Sequence, residues 1–557
     1  MSSSLRRRVA NQTRRLAHVA AQLACAGAAQ AFDAALGDAQ GAQTARLDAV
    51  LQAVSGTAQA RRLGLQPRMT PAEFRARVPE SGYADVADAI ERQRGGAPGE
   101  LTAQACARYQ PTSGSRDSMK WIPYTRQFLA ELDAAISPWG FDLYRRFPAV
   151  AGGRHYWSLS WVPTNLRAAT AANVNDDRAL LSWPKRLFTA AMAPVPPWVA
   201  TTPSSDDSLF ATLCFLAAAD DLTLISVWSP TFALGLFERL GTERAAVIDA
   251  LDEGRWGDAH RHLPGRPPRS LRAAQLLRAW DGRLDAAFFA ALWPRLALVS
   301  AWDTSTSARW ARQLAQLLPQ ARFQGKGLWA TEGVVTFPYG GAYPLAVRSH
   351  FYEFVDLHDG QPRFAWELRP GQIVRPLLTT GGGLLRYALK DRLAVRGFLR
   401  QTPCFEFLDR IDDVDMVGEK MSPEAARAAL DAIAGADGDG DDACRPLTLL
   451  AVTPERAADK PGYVALCEGS GAAVDERRGG LLDDSLRAAF HYNLARDLGQ
   501  LAPARVLTVA DARRLYQQIG EARGMVAGNI KPEALLLCDD ARSAALIRQR
   551  IGERTPS

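Results

Sequence analysis

The chain changes character after Tyr339, and this change constrains its fold more than any single motif. Before it, helical patterns alternate with short apolar runs such as 296–302 (LALVSAW), which is typical of α/β layers. After it, strand-like runs separated by Gly, Pro or charged turns indicate a strand-rich, barrel-like subdomain. From Asp409 onward, helices and strands predict a small α+β domain. We therefore expect an α/β protein with a large domain over residues 1–408 and a small C-terminal domain over 409–557.

Length and composition favour a soluble protein of at least two domains. With 557 residues, the chain exceeds what one hydrophobic core usually serves. Its 47% hydrophobic and 23% charged residues are ordinary for a globular protein. The net charge of +6 is the small difference between 66 basic and 60 acidic residues, and no long Lys/Arg run with interleaved aromatic residues occurs. We therefore expect a small anionic ligand and no nucleic acid.

Cysteine spacing and hydropathy indicate the cellular compartment of the protein. The seven cysteines are scattered and form no CxxC pair, which argues against a zinc site or a disulfide framework and suits a reducing cytoplasm. No run of about 18 or more uninterrupted apolar residues occurs, so we expect no membrane span. Five arginines precede the alanine-rich segment 17–35. The spacing of apolar residues there predicts an amphipathic helix packed on the large domain.

One segment, 111–125 (PTSGSRDSMKWIPYT), has the composition of a phosphate-binding loop. Small hydroxyl residues surround a glycine, which permits the backbone geometry that such a loop needs. Their backbone N–H groups and hydroxyls can donate to phosphate oxygens, and a lysine six residues after the glycine adds positive charge for a polyphosphate. The predicted phosphate contacts are Thr112, Ser113, Gly114, Ser115 and Lys120. A Ser/Thr/Gly cluster alone is weak evidence, because most such clusters are ordinary turns.

The order of further segments strengthens this interpretation. The loop resembles the nucleotide loop of adenylate-forming enzymes, and most closely that of the auxin-responsive Gretchen Hagen family of acyl-acid amido synthetases. Segments similar to this family's other motifs follow in the family's order. They are 326–338 (KGLWATEGVVTFP), 379–393 (TTGGGLLRYALKDRL) and the hinge-like 405–421 (FEFLDRIDDVDMVGEKM), with 78–86 (VPESGYADV) upstream and 528–537 (GNIKPEALLL) downstream. The resemblance therefore spans nearly the whole chain.

The resemblance implies an ATP-dependent ligase with the adenylate-forming architecture, in which the small C-terminal domain is mobile. Such an enzyme activates a carboxylic acid as an acyl-adenylate and releases pyrophosphate. It then transfers the acyl group to an amine, here expected to be that of an amino acid, and releases AMP. The implied cofactors are ATP and Mg²⁺. The implied partners are the small-molecule acid and amine, with no nucleic acid and no membrane, in the cytoplasm.

The resemblance also assigns roles to individual residues. Glu332 is the expected magnesium ligand, and Thr331 offers a hydroxyl near the adenylate phosphate. Asp391 matches the carboxylate that accepts hydrogen bonds from both ribose hydroxyls. Arg410, at the hinge, is expected to contact the nucleotide, although a surface ion pair with Asp412 or Asp413 is nearly as plausible.

Two lysines compete for a catalytic role in the small domain. Lys531, in NIKPE, is similar to the family's C-terminal lysine motif, and Lys420 lies just past the hinge. A lysine that swings towards the nucleotide would stabilise charge in the first step. We choose Lys531, and the predicted catalytic set is Lys531, Lys120 and Glu332.

Several positions depart from the family pattern and leave alternatives open. Asp117 replaces a glycine of the phosphate loop, Lys390 replaces the glycine before Asp391, and Ala388 replaces an arginine. These differences motivate a non-catalytic nucleotide-binding relative as one alternative. The other alternative is a thioester synthetase, which would pass the acyl group to coenzyme A or a carrier-protein thiol.

Aromatic residues and histidines give weaker signals. Candidates for the acyl pocket are Trp157, Trp161, Trp228 and Phe351, each more often a core residue. His155 and His350 are possible bases towards the amine, but structural roles are favoured for both. The pair His260 and His262 is expected in a solvated loop.

Overall fold

The computed structural model describes residues 3–112, 120–158, 188–189, 191–410, 414, 416–417, 419, 421–434, 444–453, 460–469, 473–497, 500–523, 525 and 530–552. Within them the chain forms two compact units, one ending at Leu408 and one beginning at Asp409. The predicted α/β class is confirmed, because helices and sheets of both parallel and antiparallel strands build the first unit.

The helices of the first unit are numbered along the chain. They are α1 (Ser3–Leu36), α2 (Ala39–Val54), α3 (Ala58–Arg62), α4 (Pro71–Arg77), α5 (Tyr83–Arg94), α6 (Arg126–Arg146), α7 (Ser205–Ala217), α8 (Pro230–Thr242), α9 (Arg244–Glu253), α10 (Leu271–Ala279), α11 (Ala286–Leu292) and α12 (Ala308–Leu317). Local sequence fixes several of their starts. In α4, for example, Thr70 and Glu73 form a reciprocal capping box around Pro71.

The strands up to the end of the first unit form four sheets in the described residues. They are β1 (Cys106–Thr112), β2 (Lys120–Thr125), β3 (Arg154–Trp157), β4 (Leu222–Ser226), β5 (Leu298–Ser300), β6 (Arg322–Gln324), β7 (Trp329–Ala330), β8 (Gly333–Val334), β9 (Phe351–Asp356), β10 (Pro362–Phe364), β11 (Ile373–Thr379), β12 (Tyr387–Ala388), β13 (Asp391–Leu399) and β14 (Thr402–Arg410).

A parallel sheet and an antiparallel sheet form the layers of this unit. In the parallel sheet β3, β4, β5 and β6 lie side by side in chain order, and their apolar face packs on α6. The strand-rich region predicted after Tyr339 is a sheet of order β10-β9-β11-β13-β14, with β12 added to β11. Helices α2 and α4 cover it through a core that includes Phe74, Phe351 and Phe364. Phe351 is therefore a core residue.

The N-terminal helix packs on α6, as the sequence predicted. His18 of α1 is fully buried, and its ring nitrogens lie 2.9 Å from the Tyr144 hydroxyl and 2.8 Å from the Gly153 carbonyl oxygen. The segment Gln12–Leu36 is long and apolar enough to cross a membrane by length and composition alone, a test that buried core helices of soluble proteins and N-terminal signal sequences also pass.

The second unit is a mixed sheet covered by helices. Its strands are β15 (Arg445–Val452), β16 (Gly462–Glu468), β17 (Ala473–Val474), β18 (Arg505–Val509) and β19 (Leu535–Cys538), in the order β17-β18-β16-β15-β19. Its helices are α13 (Pro423–Ala434), α14 (Glu476–Leu486), α15 (Phe490–Asp497), α16 (Ala512–Ala522) and α17 (Ala541–Gly552). The sheet contains parallel and antiparallel pairs, so the small domain has the α+β character that the sequence predicted.

All seven cysteines are free thiols, and five of them are buried.

Candidate functional site

The predicted phosphate loop connects the two strands of a hairpin. Strands β1 and β2 are antiparallel, and their register pairs Thr112 with Lys120, so the two ends of the loop are neighbours. Ser113, Gly114 and Ser115 lie outside the described residues, and only the backbone of Thr112 is described. Lys120 is half-buried, with its ammonium 5.6 Å from the centre of the Tyr83 ring. At this distance the ring attracts the cation and helps to orient it.

Thr331 and Glu332 form the tip of a second hairpin. Trp329 and Ala330 of β7 pair directly with Val334 and Gly333 of β8, which leaves Thr331 and Glu332 as a two-residue turn. The Tyr124 hydroxyl, near the end of β2, donates a hydrogen bond of 2.9 Å to the Thr331 carbonyl oxygen. The hairpin tip is thereby fixed to the strand that leaves the phosphate loop.

The glycine-rich segment 379–383 contacts the next residue of β2. The Thr125 hydroxyl donates to the Gly381 carbonyl oxygen at 2.8 Å and accepts from the Phe128 N–H at 3.1 Å, which caps α6. Gly383 has φ +89°, and a Cβ there would lie 2.7 Å from the Leu101 carbonyl oxygen. Glycine is therefore required at Gly383 by both its backbone angle and its packing.

Asp391 begins β13 and is 8% exposed. The chain leading to it is held by Ser81, from the upstream segment 78–86. The Ser81 backbone exchanges hydrogen bonds with the Arg386 carbonyl oxygen at 3.1 Å and the Ala388 N–H at 2.8 Å. Arg386 has an unusual positive φ of +46°. Its backbone bond to Ser81 and its ion pair of 2.7 Å with the buried Glu353 hold it in this conformation.

A buried carboxylate and a buried imidazole connect the glycine-rich segment to the Thr331–Glu332 hairpin. Glu131 of α6 is 1% exposed and His350 is fully buried. The Glu131 carboxylate accepts from the Gly381 N–H at 3.0 Å and from His350 Nδ1 at 2.8 Å. His350 Nε2 accepts from the Val334 N–H at 3.3 Å, which assigns the ring proton to Nδ1. The pair therefore holds the glycine-rich segment and the Thr331–Glu332 hairpin in a fixed relation.

The sequence analysis missed Glu131 because its partners are far away in the chain. Tyr124 and Thr125 belong to the loop motif, but the motif does not predict their hydrogen bonds to Thr331 and Gly381. His350 has the structural role that was favoured for it. So has His155, whose Nε2 lies 2.9 Å from the Val150 carbonyl oxygen. Burial, reinforced by the neighbouring His18, lowers the pKa of His155 to about 3.

The expectation of a solvated loop for His260 and His262 is wrong for His260. Its ring stacks on Phe210 with centroids 3.9 Å apart, and both histidines lie 2.9 Å from the Asp207 carboxylate. Burial alone would raise the pKa of this carboxyl, but hydrogen bonds from His262, Ser204 and His260 lower it to about 2. The Phe210 ring covers one face of the His260 ring, whose side chain is 18% exposed.

In the second unit, Lys531 is half-buried and its backbone is held by a buried tyrosine. The Tyr516 hydroxyl donates to the Lys531 carbonyl oxygen at 2.7 Å and accepts from the Glu533 N–H at 3.0 Å. Burial raises the pKa of Tyr516. Arg410 is exposed, and its guanidinium lies 3.9 Å from the Glu533 carboxylate. Lys420, Asp412, Asp413 and Asp117 lie outside the described residues.

The carboxylates of Glu332 and Asp391 are the oxygen donors considered for a metal ion and for a ribose. Among the described residues, no group of three or more His, Cys, Asp or Glu side chains is arranged to hold a metal ion. A carboxylate on a turn, as at Glu332, is a hard oxygen donor of the kind that Mg²⁺ accepts alongside phosphate oxygens and water. The carboxylate of Asp391 suits a ribose diol, because its two oxygens can accept two hydrogen bonds.

Comparison with known proteins gives consistent matches. Residues 28–323 match the GH3 family N-terminal domain, and residues 343–410 match the GH3 family central domain. A protein of Oryza sativa subsp. japonica, named a probable indole-3-acetic acid-amido synthetase GH3.12, is 24% identical over 534 residues. That match covers 82% of this chain and 84% of the rice protein.

Two solved structures share the fold. AtGH3.15 acyl acid amido synthetase in complex with 2,4-DB superimposes with a TM-score of 0.76 at 18% identity, covering 95% of this chain and 96% of that one. A second structure, GH3.15 acyl acid amido synthetase, gives a TM-score of 0.74 at 16% identity, covering 92% and 94% of the two chains. At such identities the superpositions establish the architecture of this chain.

Proposed function

The chain belongs to the GH3 family, and from this premise we propose that it is an ATP-dependent acyl acid amido synthetase. In the first step, a carboxylate oxygen of the acid attacks the α-phosphorus of ATP, and the bond to pyrophosphate breaks. In the second step, an amine nitrogen attacks the acyl carbon, AMP leaves with the bonding electron pair, and the nitrogen loses a proton. An amino acid is the proposed amine. The name of the rice relative, an amido synthetase, supports the reaction type.

The observation that carries this proposal is the meeting of separated motifs at the end of β2. Tyr124 binds the Thr331 backbone, and the adjacent Thr125 binds the Gly381 backbone. These contacts bridge more than 200 residues of sequence. An adenylating site needs phosphate, metal and ribose contacts around one nucleotide, and the three segments proposed to supply them converge here.

The proposed roles of the large-domain residues follow from their chemistry. The loop residues Thr112, Ser113, Gly114 and Ser115 and the cation of Lys120 bind the polyphosphate. Thr331 donates its hydroxyl near the α-phosphate, Glu332 holds Mg²⁺, and Asp391 binds the ribose hydroxyls. When bound, Mg²⁺ offsets the charge of phosphate oxygens and orients them. These side chains then act by fixing the acid and nucleotide for in-line attack.

The small domain contributes a second set of contacts. We assign the catalytic cation to Lys531, because the backbone hydrogen bonds from Tyr516 fix its position within that unit. Arg410 contacts the nucleotide from the hinge. In this proposal, residues 1–408 form the domain that binds ATP and the acid, and residues 409–557 form the mobile domain. It places the enzyme in the cytoplasm, since seven free thiols suit a reducing compartment.

ATP–pyrophosphate exchange with a panel of carboxylic acids tests the first step. Exchange should require an acid of the panel, and Lys120→Ala and Glu332→Ala should each lower it by about 100-fold, a loss typical of removing one electrostatic contact. Lys460→Ala, which removes an exposed lysine, is the matched control and should exchange at the wild-type rate. Wild-type exchange in both site variants would show that the site is placed wrongly.

Product mass tests the second step. Incubation with ATP, an active acid, the twenty amino acids and coenzyme A should yield an amide, with a mass equal to acid plus amino acid minus water. A thioester as the main product would identify the enzyme as a thioester synthetase instead. ATP binding without exchange for any acid would favour the non-catalytic alternative.

A further inference from the structure

A row of polar side chains crosses the carboxyl end of the parallel sheet. Trp157, Ser226, Ser300 and Gln324 are register partners on β3, β4, β5 and β6, so their side chains project from the same face. In open α/β sheets, ligands bind outside the carboxyl ends of the strands. This row is therefore at a position where a ligand is expected.

A buried lysine lies against this row. Lys326 is only 4% exposed, and its ammonium donates to the Ser226 hydroxyl at 2.7 Å. The same ammonium lies 4.8 Å from the centre of the Trp228 ring and 5.5 Å from that of Trp139. A buried ammonium is costly to keep in a folded protein unless its surroundings stabilise it, and here the Ser226 hydroxyl and two aromatic faces do so.

The adjacent hydroxyl of Ser300 is a second, independent sign of a ligand. Ser300 is fully buried, and its hydroxyl has no hydrogen-bond partner among the residues that the structure describes. The same holds within the described ranges for the hydroxyl of Ser158, which is 2% exposed and whose N–H bonds to Ser226. Buried hydroxyls without partners destabilise a protein. Such groups are retained where a bound molecule supplies the missing hydrogen bond.

Tryptophans form the walls around the lysine. Five half-buried indoles follow one another with ring centroids 5.5 to 6.3 Å apart, in the spatial order Trp157, Trp139, Trp329, Trp228 and Trp302. The Trp329 indole donates to the Lys326 carbonyl oxygen at 2.9 Å. Trp329 also begins the hairpin that carries Glu332, so these walls continue into the proposed nucleotide site.

We propose that Lys326, Ser226 and Ser300 bind a carboxylate of a flat, apolar organic acid whose body packs between the tryptophans. The ammonium supplies the charge, the hydroxyls supply further donors, and the indoles bury an aromatic or similarly flat body. As a substrate site this rests on the proposed function, but binding of the acid can be measured without turnover. Either the reacting carboxylate or a second carboxylate of the acid can occupy the donors.

Quenching of tryptophan fluorescence in the full-length protein tests the pocket with three probes: benzoate, phenylacetate and terephthalate. Lys326→Met keeps the length and apolar character of the stem and should weaken binding by about tenfold or more, as expected for a lost hydrogen bond to a charged group. Lys460→Met is the matched control and should bind like the wild type. Weakening of all three probes identifies the reacting carboxylate as the group bound. Weakening of terephthalate alone identifies a second carboxylate.

Ser300→Ala separates ligand binding from a structural role. The substitution removes a hydroxyl without a partner in the described structure, so the midpoint of thermal unfolding without ligand should be at or above that of the wild type. Acid binding should nevertheless weaken several-fold. A lowered midpoint with unchanged binding would mean that the hydroxyl is structural.

The proposal is overturned if no probe quenches the fluorescence, or if Lys326→Met binds every probe like the wild type. Binding that depends on Lys326 without any pyrophosphate exchange would retain the pocket and refute the proposed function. Exchange that is insensitive to Lys326→Met would retain the function and refute the pocket.

Discussion

Replacement of Glu131 by glutamine is a sharp test of how the site is held together. The Glu131 carboxylate is 1% exposed and accepts hydrogen bonds from three donors: the Gly381 N–H, His350 Nδ1–H and, at 3.3 Å, the Gln127 side-chain amide. A glutamine side chain has the same shape but only one oxygen. Each carboxylate oxygen lies 3.0 Å from the Gly381 nitrogen, so the NH₂ group faces this N–H in either orientation. The orientation that also turns the NH₂ group towards His350 Nδ1 is worse, because the histidine cannot move its proton to Nε2, which accepts the Val334 N–H.

The expected magnitude follows from these contacts. In Glu131→Gln the buried Gly381 N–H faces an NH₂ group in place of an acceptor oxygen, which costs about 1–3 kcal/mol of unfolding free energy. In Glu131→Ala the two buried donors, the Gly381 N–H and His350 Nδ1–H, lose their acceptor, which costs about 2–6 kcal/mol, before any loss of packing. Domains are typically stable by about 5–15 kcal/mol, so the alanine variant should approach the limit of folding.

Thermal unfolding with and without ATP measures the effect. Glu131→Gln should lower the midpoint by about 1–4 °C for a domain of this size. It should also raise the KM for ATP in pyrophosphate exchange, because the Gly381 and Val334 segments flank the proposed nucleotide contacts. Glu253→Gln changes a helix carboxylate with 48% exposure and should leave both quantities near wild type. A Glu131→Gln protein with the wild-type midpoint would refute this account of the buried pair.

Three further outcomes follow from other contacts. The pKa of His155 is lowered to about 3 in the folded chain, so unfolding takes up a proton between about pH 6.5 and 3. The free energy of unfolding should therefore fall on acidification in this window, and it should fall less steeply in His155→Gln. Thermal midpoints at several pH values will measure the difference. Tyr516→Phe removes the two hydrogen bonds that fix the backbone at Lys531. It should lower kcat for pyrophosphate exchange by about tenfold with little change in the KM for ATP. A rate equal to that of the wild type would contradict the positioning role of Tyr516. Gly383→Ala forces a Cβ to 2.7 Å from the Leu101 carbonyl oxygen at positive φ and should destabilise the protein by about 1–3 kcal/mol, which unfolding with urea will report.

Local patterns predicted much of the architecture. The strand-rich character after Tyr339, the helical N-terminus and the small α+β unit follow from periodicity and turn residues, which act over a few positions. The ordered motifs also predicted the family correctly. Hydrogen bonds between distant segments could not be read in this way, because nothing near Glu131 in the sequence specifies a histidine 219 residues later.

The same limit applies to single residues with unusual surroundings. Lys326 entered the sequence analysis only as the first residue of a motif, since its surroundings include Trp139 and Trp228, which are distant in the sequence. His260 was assigned to a solvated loop because its sequence neighbours are arginines, whereas Phe210 and Asp207 determine its environment.

The hydroxyl of Thr125 ties two requirements to one atom. It caps the helix that follows β2, and it fastens that strand to the glycine-rich segment. Any substitution that removes the oxygen, even one as similar in shape as valine, impairs both at once, while serine retains both. Only threonine and serine carry a hydroxyl on Cβ that can donate and accept here, and a second-site change that restored the helix start would leave the contact between the strand and the glycine-rich segment unmade.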